Sequence, residues 1–315
     1  MKIRTIHSLS LACGALMLAG GVFFAHPGEQ QEEPQDLAPH GKGIGTMYEP
    51  GRPGTHFGAP RAGAARRSGG NGISYHGGPV MTSGANVYLI WYGKWAASTQ
   101  TIITDWANSI APSPYFNINT TYTSATGAKA LNSVHFVGQT SDNYSQGSTL
   151  SDTAVQTVVS RAIGNGSLPL DTNGVYFVLT SADVNESSGF CTQYCGWHWY
   201  GTISSQNIKY AFVGNPARCP SACTAQTSVS PNGDIGADGM VSILSHELEE
   251  TVTDPNGNAW YDSRGYENAD KCAWTFGATY RVANGSLANV SLGGYNYLIQ
   301  QNWVNASGGY CALSY

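Results

Sequence analysis

Asn86-Val-Tyr-Leu-Ile-Trp-Tyr92 sets the architecture of this chain. The run is rich in β-branched and aromatic residues, and its apolar side chains fall on both faces. It therefore reads as a strand covered on both sides, not a half-solvated one. Val175-Tyr-Phe-Val-Leu179 has the same character, and Val134-His-Phe-Val137 and Ile208 to Val213 read as two further strands. Helical stripes lie between them. Ser98 is placed to cap a helix carrying Ile102, Ile103, Trp106 and Ile110. Ser151 or Asp152 is placed to cap another, carrying Val155, Val158, Val159, Ala162 and Ile163. A third helix is predicted from a cap at Asp238 to about Thr253. The order βαβαββα implies an α+β domain with a mixed β-sheet covered by helices, and the expected fold is zincin-like, with an active-site helix and disulfide bridges. From Ala273 to Tyr315 the chain turns Gly/Asn-rich, with short strand-like runs such as Tyr295 to Ile299.

Composition narrows the class. Only 11% of the 315 residues are charged and the formal net charge is −5, with no Lys/Arg cluster. Phosphate binding needs concentrated positive charge, so nucleic acid is excluded as a partner. Lys2 and Arg4 precede an apolar run from Leu9 to Val22 that ends in small residues at Ala25. Residues 1–25 are thus expected to be a signal peptide. No later stretch is apolar for long enough to span a bilayer, so the expected location is secreted and extracellular, or periplasmic in a bacterium. Residues 26–70 are rich in Pro, Gly, Glu and Arg and read as a disordered linker or propeptide ending near Arg66-Arg67. Residues 71–315 form the expected folded domain. Loss of Cys13 with the signal leaves Cys191, Cys195, Cys219, Cys223, Cys272 and Cys311. An even set in an exported chain predicts disulfides; the two C-x3-C pairs could instead hold zinc. The expected pairing is Cys272–Cys311, with the other four cysteines joined among themselves.

The chemistry sits in Ser245-His-Glu-Leu-Glu-Glu-Thr-Val-Thr-Asp-Pro255. On a helix His246 and Glu250 lie one turn apart on one face, with Glu247 beside them. Val241, Leu244, Leu248 and Val252 form the opposite, packing stripe. This is zincin geometry: two helical ligands at i and i+4, and a Glu after the first as general base. The expected metal ligands are His246, Glu250 and Glu267, with Asp254 and Asp270 in reserve, and Glu247 is the expected catalytic base. Their donor atoms should converge to within about 4 Å of one another. Zn2+ is the expected ion; the carboxylate-rich donor set makes Ca2+ the alternative. Of the other histidines, His135 reads as a core residue on a strand, His76 as a turn residue, and His198, in Cys195-Gly-Trp-His-Trp-Tyr200, as one able to line a site.

Several strings together resemble the EXORDIUM / phosphate-induced protein 1 family of secreted proteins. They are Tyr75-His-Gly-Gly-Pro-Val80, Asn86 to Gly93, Gly189-Phe-Cys191 with Cys195-Gly196, Val213-Gly-Asn215, the C-x3-C pairs, and Pro231 to Met240. The resemblance implies an extracellular protein; plant members are linked to cell expansion and lack the His-Glu pair on the key helix. Retention of His246-Glu-x-x-Glu250 is more similar to non-plant relatives with a zincin-like motif. Two functions are therefore expected. One is a secreted zinc-dependent hydrolase, a metallopeptidase acting on a peptide or protein substrate. The alternative is a non-catalytic extracellular protein that binds cell-wall polysaccharide or a surface partner, with Trp197, Trp199, Tyr200 and Trp260 as stacking faces.

Overall fold

The computed structural model describes residues 72–315. The expected signal peptide, the linker over 26–70, Cys13 and the Arg66-Arg67 pair lie outside the described residues. The principal elements are β1 (Ala85–Tyr92), α1 (Ala97–Ser109), β2 (Val134–Asp142), α2 (Asp152–Gly164), β3 (Gly174–Thr180), β4 (Gly196–Ile203), β5 (Gln206–Val213) and α3 (Ile235–Thr253). The strands form one sheet in the order β2-β1-β3-β5-β4. Its first four members are parallel and β4 runs antiparallel to β5. The result is a mixed α/β domain. The chain moves from β1 to β2 through α1, then back across β1 to β3 through α2. Right-handed crossovers in opposite directions place these two helices on opposite faces. α3 packs beside α1: Trp106 of α1 donates to Ser245 Oγ of α3 at 2.9 Å and meets Phe177 of β3 edge-on. Covered on both faces, β3 is buried along its whole length and β1 along nearly all of it.

β4 is the element that the sequence pattern does not announce. Its hairpin with β5 turns on Ser204 and Ser205, both at positive φ (49° and 63°). Such a turn is usually flagged by Asn-Gly, and here two serines adopt it. Helix starts also differ from expectation. α1 begins at Ala97 behind Ala96, which makes no side-chain capping bond, so Ser98 sits inside the first turn. α2 is capped by Ser151, whose side chain accepts from Ala154 N. α3 starts a turn earlier than Asp238 implies; Asp234 caps it by accepting from Ala237 N, and Asp238 instead accepts from Asn232. The early turn reads as loop because it holds Gly236 and Gly239. A Cβ at Gly236 would lie 2.5 Å from Asn215 Oδ1 and one at Gly239 2.9 Å from Pro216, so this end of α3 is pressed onto the turn after β5. His135 is exposed, not in the core, because β2 is an edge strand in which only Val134 is buried and the residues after it alternate between exposed and half-buried.

Outside this sheet lie short helical turns, a two-residue parallel pair of Thr149–Leu150 with Asn185–Glu186, and short antiparallel ribbons. Ser74–Tyr75 pairs with Trp260–Tyr261, and three hairpins follow residue 280. All six cysteines pair, as Cys191–Cys219, Cys195–Cys223 and Cys272–Cys311. The sulfurs of the C-x3-C pairs are thereby unavailable to zinc. The first two bridges tie the segment entering β4 to the chain between β5 and α3; the third ties the loop after α3 to the C-terminal ribbon. Among the described residues no helix is long and apolar enough to cross a membrane. Peptide mapping of the non-reduced protein is expected to recover these three pairs with no free thiol among the six. Replacing Cys272 and Cys311 together by Ser should cost about 2–4 kcal/mol in chemical denaturation.

Candidate metal centre

The apolar stripe of α3, Val241, Leu244, Leu248 and Val252, is buried as its spacing predicts. The opposite face is buried too. β4 crosses it on one side, and the loop from Asp254 to Cys272 folds back over it. Gly196 permits the crossing: a Cβ there would stand 2.6 Å from Ile243 Cγ2 and 3.0 Å from Glu247 Oε1. Two residues along β4, on the same face by strand alternation, His198 faces the helix.

Two groups of donors result. His246 Nε2 lies 3.0 Å from Glu250 Oε1 and 3.5 Å from Asp270 Oδ1. His198 Nε2 lies 3.0 Å from Glu267 Oε2 and 3.8 Å from Glu250 Oε2. Glu247 joins the second group, offering a carboxylate oxygen within 4.8 Å of donors on His198 and Glu250. The loop is held in place by its backbone, with Asp270 N donating to Glu250 Oε1 at 2.9 Å and Asn268 Nδ2 to Glu249 O at 3.3 Å. Cys272, at the end of the same turn, anchors it through the disulfide to Cys311.

The structure thus brings His246 and Glu250 together and sets Asp270 beside them. Glu267 stands against His198 instead of completing the His246 group. Asp254 ends α3, its Oδ1 accepting from Asn258 N at 2.6 Å and Ala259 N at 2.7 Å, a turn-closing role. His198 is the principal addition; its only signal in the sequence is its place between two tryptophans after a cysteine. Trp197 is buried against Tyr210 and Phe212, so it offers no stacking face, whereas Trp199 and Tyr200 are half-buried. Trp260 is also half-buried, its indole donating to Thr123 O at 2.8 Å.

Electrostatics follow from enclosure. Burial is the largest influence on Glu247, Glu250 and Glu267 and raises each above the ordinary carboxyl range, with neighbouring carboxylates adding to it. Burial also draws His198 down to about 4, against the pull of Glu250. For His246 burial acts downward as well, but Glu250, Asp270 and Glu247 outweigh it and hold the imidazolium well above its usual range. Without a cation the cluster can stay buried only by taking up protons; a metal ion would supply the positive charge instead. The donors suit one. They are imidazole nitrogens and carboxylate oxygens, and Glu267 Oε1 is buried with no hydrogen-bond partner among the described residues.

A disulfide-stapled α/β domain with a buried histidine–carboxylate centre is the class these features define. The conserved region of the phosphate-induced protein 1 family matches residues 73–302, and the chain belongs to that family. It is 34% identical to Protein EXORDIUM-like 5 of Arabidopsis thaliana over 73% of this chain and 75% of that one. Identity to Protein EXORDIUM-like 3 of the same plant is also 34%, over 73% and 80% of the two chains. Protein PHOSPHATE-INDUCED 1 of Nicotiana tabacum is 28% identical over 60% and 67%. No solved structure matches the chain.

Gly196→Ala tests the crossing. The added methyl meets Ile243 and the Glu247 carboxylate, and it should cost about 1–3 kcal/mol by overpacking, read as a lowered denaturation midpoint. Gly147→Ala, at a surface turn where a Cβ meets nothing within 4 Å, should cost only the strain of its positive φ (82°).

Proposed function

We propose that this chain acts outside the cell as a non-catalytic EXORDIUM-type binding protein whose domain closes around divalent metal, zinc in preference to calcium. One observation carries the reading. His198, His246, Glu247, Glu250, Glu267 and Asp270 converge while each retains 9% or less of its surface exposure. Structural zinc sites are closed, whereas catalytic ones keep an open position for water. Two imidazoles in the donor set favour zinc, since calcium takes oxygen ligands. The export signal expected at residues 1–25, the three disulfides and the family membership support an extracellular setting. The partner class is cell-wall polysaccharide or another surface ligand, with Trp199 and Tyr200 supplying aromatic faces for stacking. In this reading the His246-to-Glu250 pattern groups the chain with non-plant relatives that keep the motif.

A second reading, zinc-dependent hydrolysis of a peptide or protein, is favoured by the position of Glu247. It follows His246 directly and reaches the donors of His198 and Glu250. A base so placed would take a proton from attacking water and pass it to the leaving amine. One experiment separates the two. Elemental analysis should find zinc, and a chelator should lower the melting temperature. Unfolded protein substrates should stay intact with or without chelator, and Glu247→Gln should alter metal retention only. Chelator-sensitive cleavage that falls at least about 100-fold in Glu247→Gln would overturn the binding reading in favour of hydrolysis.

A further inference from the structure

We infer that the centre holds two divalent ions bridged by Glu250, not one; this rests on the metal-binding reading above and extends it. The two oxygens of Glu250 face different partners. Oε1 is 3.0 Å from His246 Nε2, on the side of Asp270, and Oε2 is 3.8 Å from His198 Nε2, on the side of Glu267. A carboxylate in that position joins two ions, one through each oxygen.

The spacing within each group fits a shared ion. At metal–ligand distances of about 2.0–2.2 Å, tetrahedral neighbours stand about 3.4 Å apart. The separations from His246 to Glu250 and Asp270, 3.0 and 3.5 Å, and from His198 to Glu267 and Glu250, 3.0 and 3.8 Å, bracket that value. His246, Glu250 and Asp270 would hold one ion. His198, Glu247 and Glu250, whose donors lie within 4.8 Å of one another, would hold the other, with Glu267 beside His198 able to join it. The two ions would stand about 3.5–4 Å apart, the usual span of a two-metal site.

Charge gives an independent argument. Glu247, Glu250, Glu267 and Asp270 are four carboxylates, each at least nine-tenths buried. Two divalent cations balance their ionised charge in full; one balances half of it and leaves the rest to be met by protons, since uncompensated charge is costly in a low-dielectric interior. Like Glu249 outside the two groups, Glu267 has a buried carboxylate oxygen, Oε1, with no hydrogen-bond partner among the described residues, while its sister oxygen touches His198. A single ion in the His246 group would leave that oxygen unanswered.

The test is metal stoichiometry with location. The full chain, purified without chelator and supplied with Zn2+, should contain two zinc ions per molecule by elemental analysis. Anomalous diffraction at the zinc edge should show two peaks about 3.5–4 Å apart flanking Glu250. One ion per chain, or a second peak away from Glu250, overturns the bridged pair and leaves the metal-binding reading standing. No bound zinc overturns both. Asp270→Asn and Glu267→Gln should each retain one ion, at the His198 and His246 groups respectively. Where a variant fails to fold, the unaltered protein still decides: after chelation, visible absorbance on titration with Co2+ should rise to two equivalents, and saturation at one overturns the proposal.

Discussion

Everything around α3 answers to one constraint: ionisable groups that have been taken out of water must be paired, protonated or bound to a cation. His246, Glu247, Glu249 and Glu250 are consecutive or nearly so on a helix with no solvated side, and each is almost fully enclosed. Moving charge into such a setting costs several kcal/mol per ion unless compensated. The surroundings act on that cost residue by residue. Glu249 points away from the centre and accepts from Asn302 Nδ2, itself fully buried on the C-terminal ribbon. The remaining carboxylates turn inward together, where only a shared cation or shared protons can serve them.

The fold follows from building that enclosure. A parallel sheet covered on both faces supplies a rigid floor, and the β4–β5 hairpin adds an edge strand that brings His198 to the helix. Gly196 lets the strand lie against α3 without a side chain between them. The two bridges from Cys191 and Cys195 hold the entry to β4 against the turn preceding α3, and Cys272–Cys311 fixes the loop that carries Glu267 and Asp270. Polar residues on the other sides of α3 are satisfied singly: Ser242 accepts from Gln300, and Ser245 from Trp106. α3 is therefore the hub of the domain as well as the source of the centre.

Legibility in the sequence tracks how local the determining interaction is. Strands β1, β3 and β5 are plain because continuous apolar runs encode burial on both faces. The helical stripes of α1, α2 and α3 are plain for the matching reason, a 3.6-residue period. What the pattern misses is set by contacts distant in sequence. β4 carries glycine, aromatics and histidine without clear alternation, and its turn of two serines gives no signal. The first turn of α3 looks like loop because its glycines answer to Asn215 and Pro216. The i,i+4 pair of His246 and Glu250 is legible from helix geometry alone. The choice between Glu267 and Asp270 beside His246 is not, since both sit in one loop and its backbone path decides which carboxylate reaches which imidazole. The even cysteine count indicates disulfides, but the pairing of the C-x3-C segments depends on β4 lying beside the turn after β5.

The enclosure of the centre also bears on the part that a bound metal would play there. A catalytic ion must admit water and substrate, which keeps part of its coordination sphere exposed. Here strand, helix and pinned loop each cover a side, and the donors come from three separate elements, near residues 198, 246–250 and 267–270, the first well removed in sequence from the other two. Ligands on separate elements meet only when the domain is folded, so the affinity for a bound metal would be part of the folding free energy. The ion would then join β4, α3 and the loop in the same way the disulfides join their flanks. That accounts for a chain poor in surface charge placing so many of its few charged residues at one buried point.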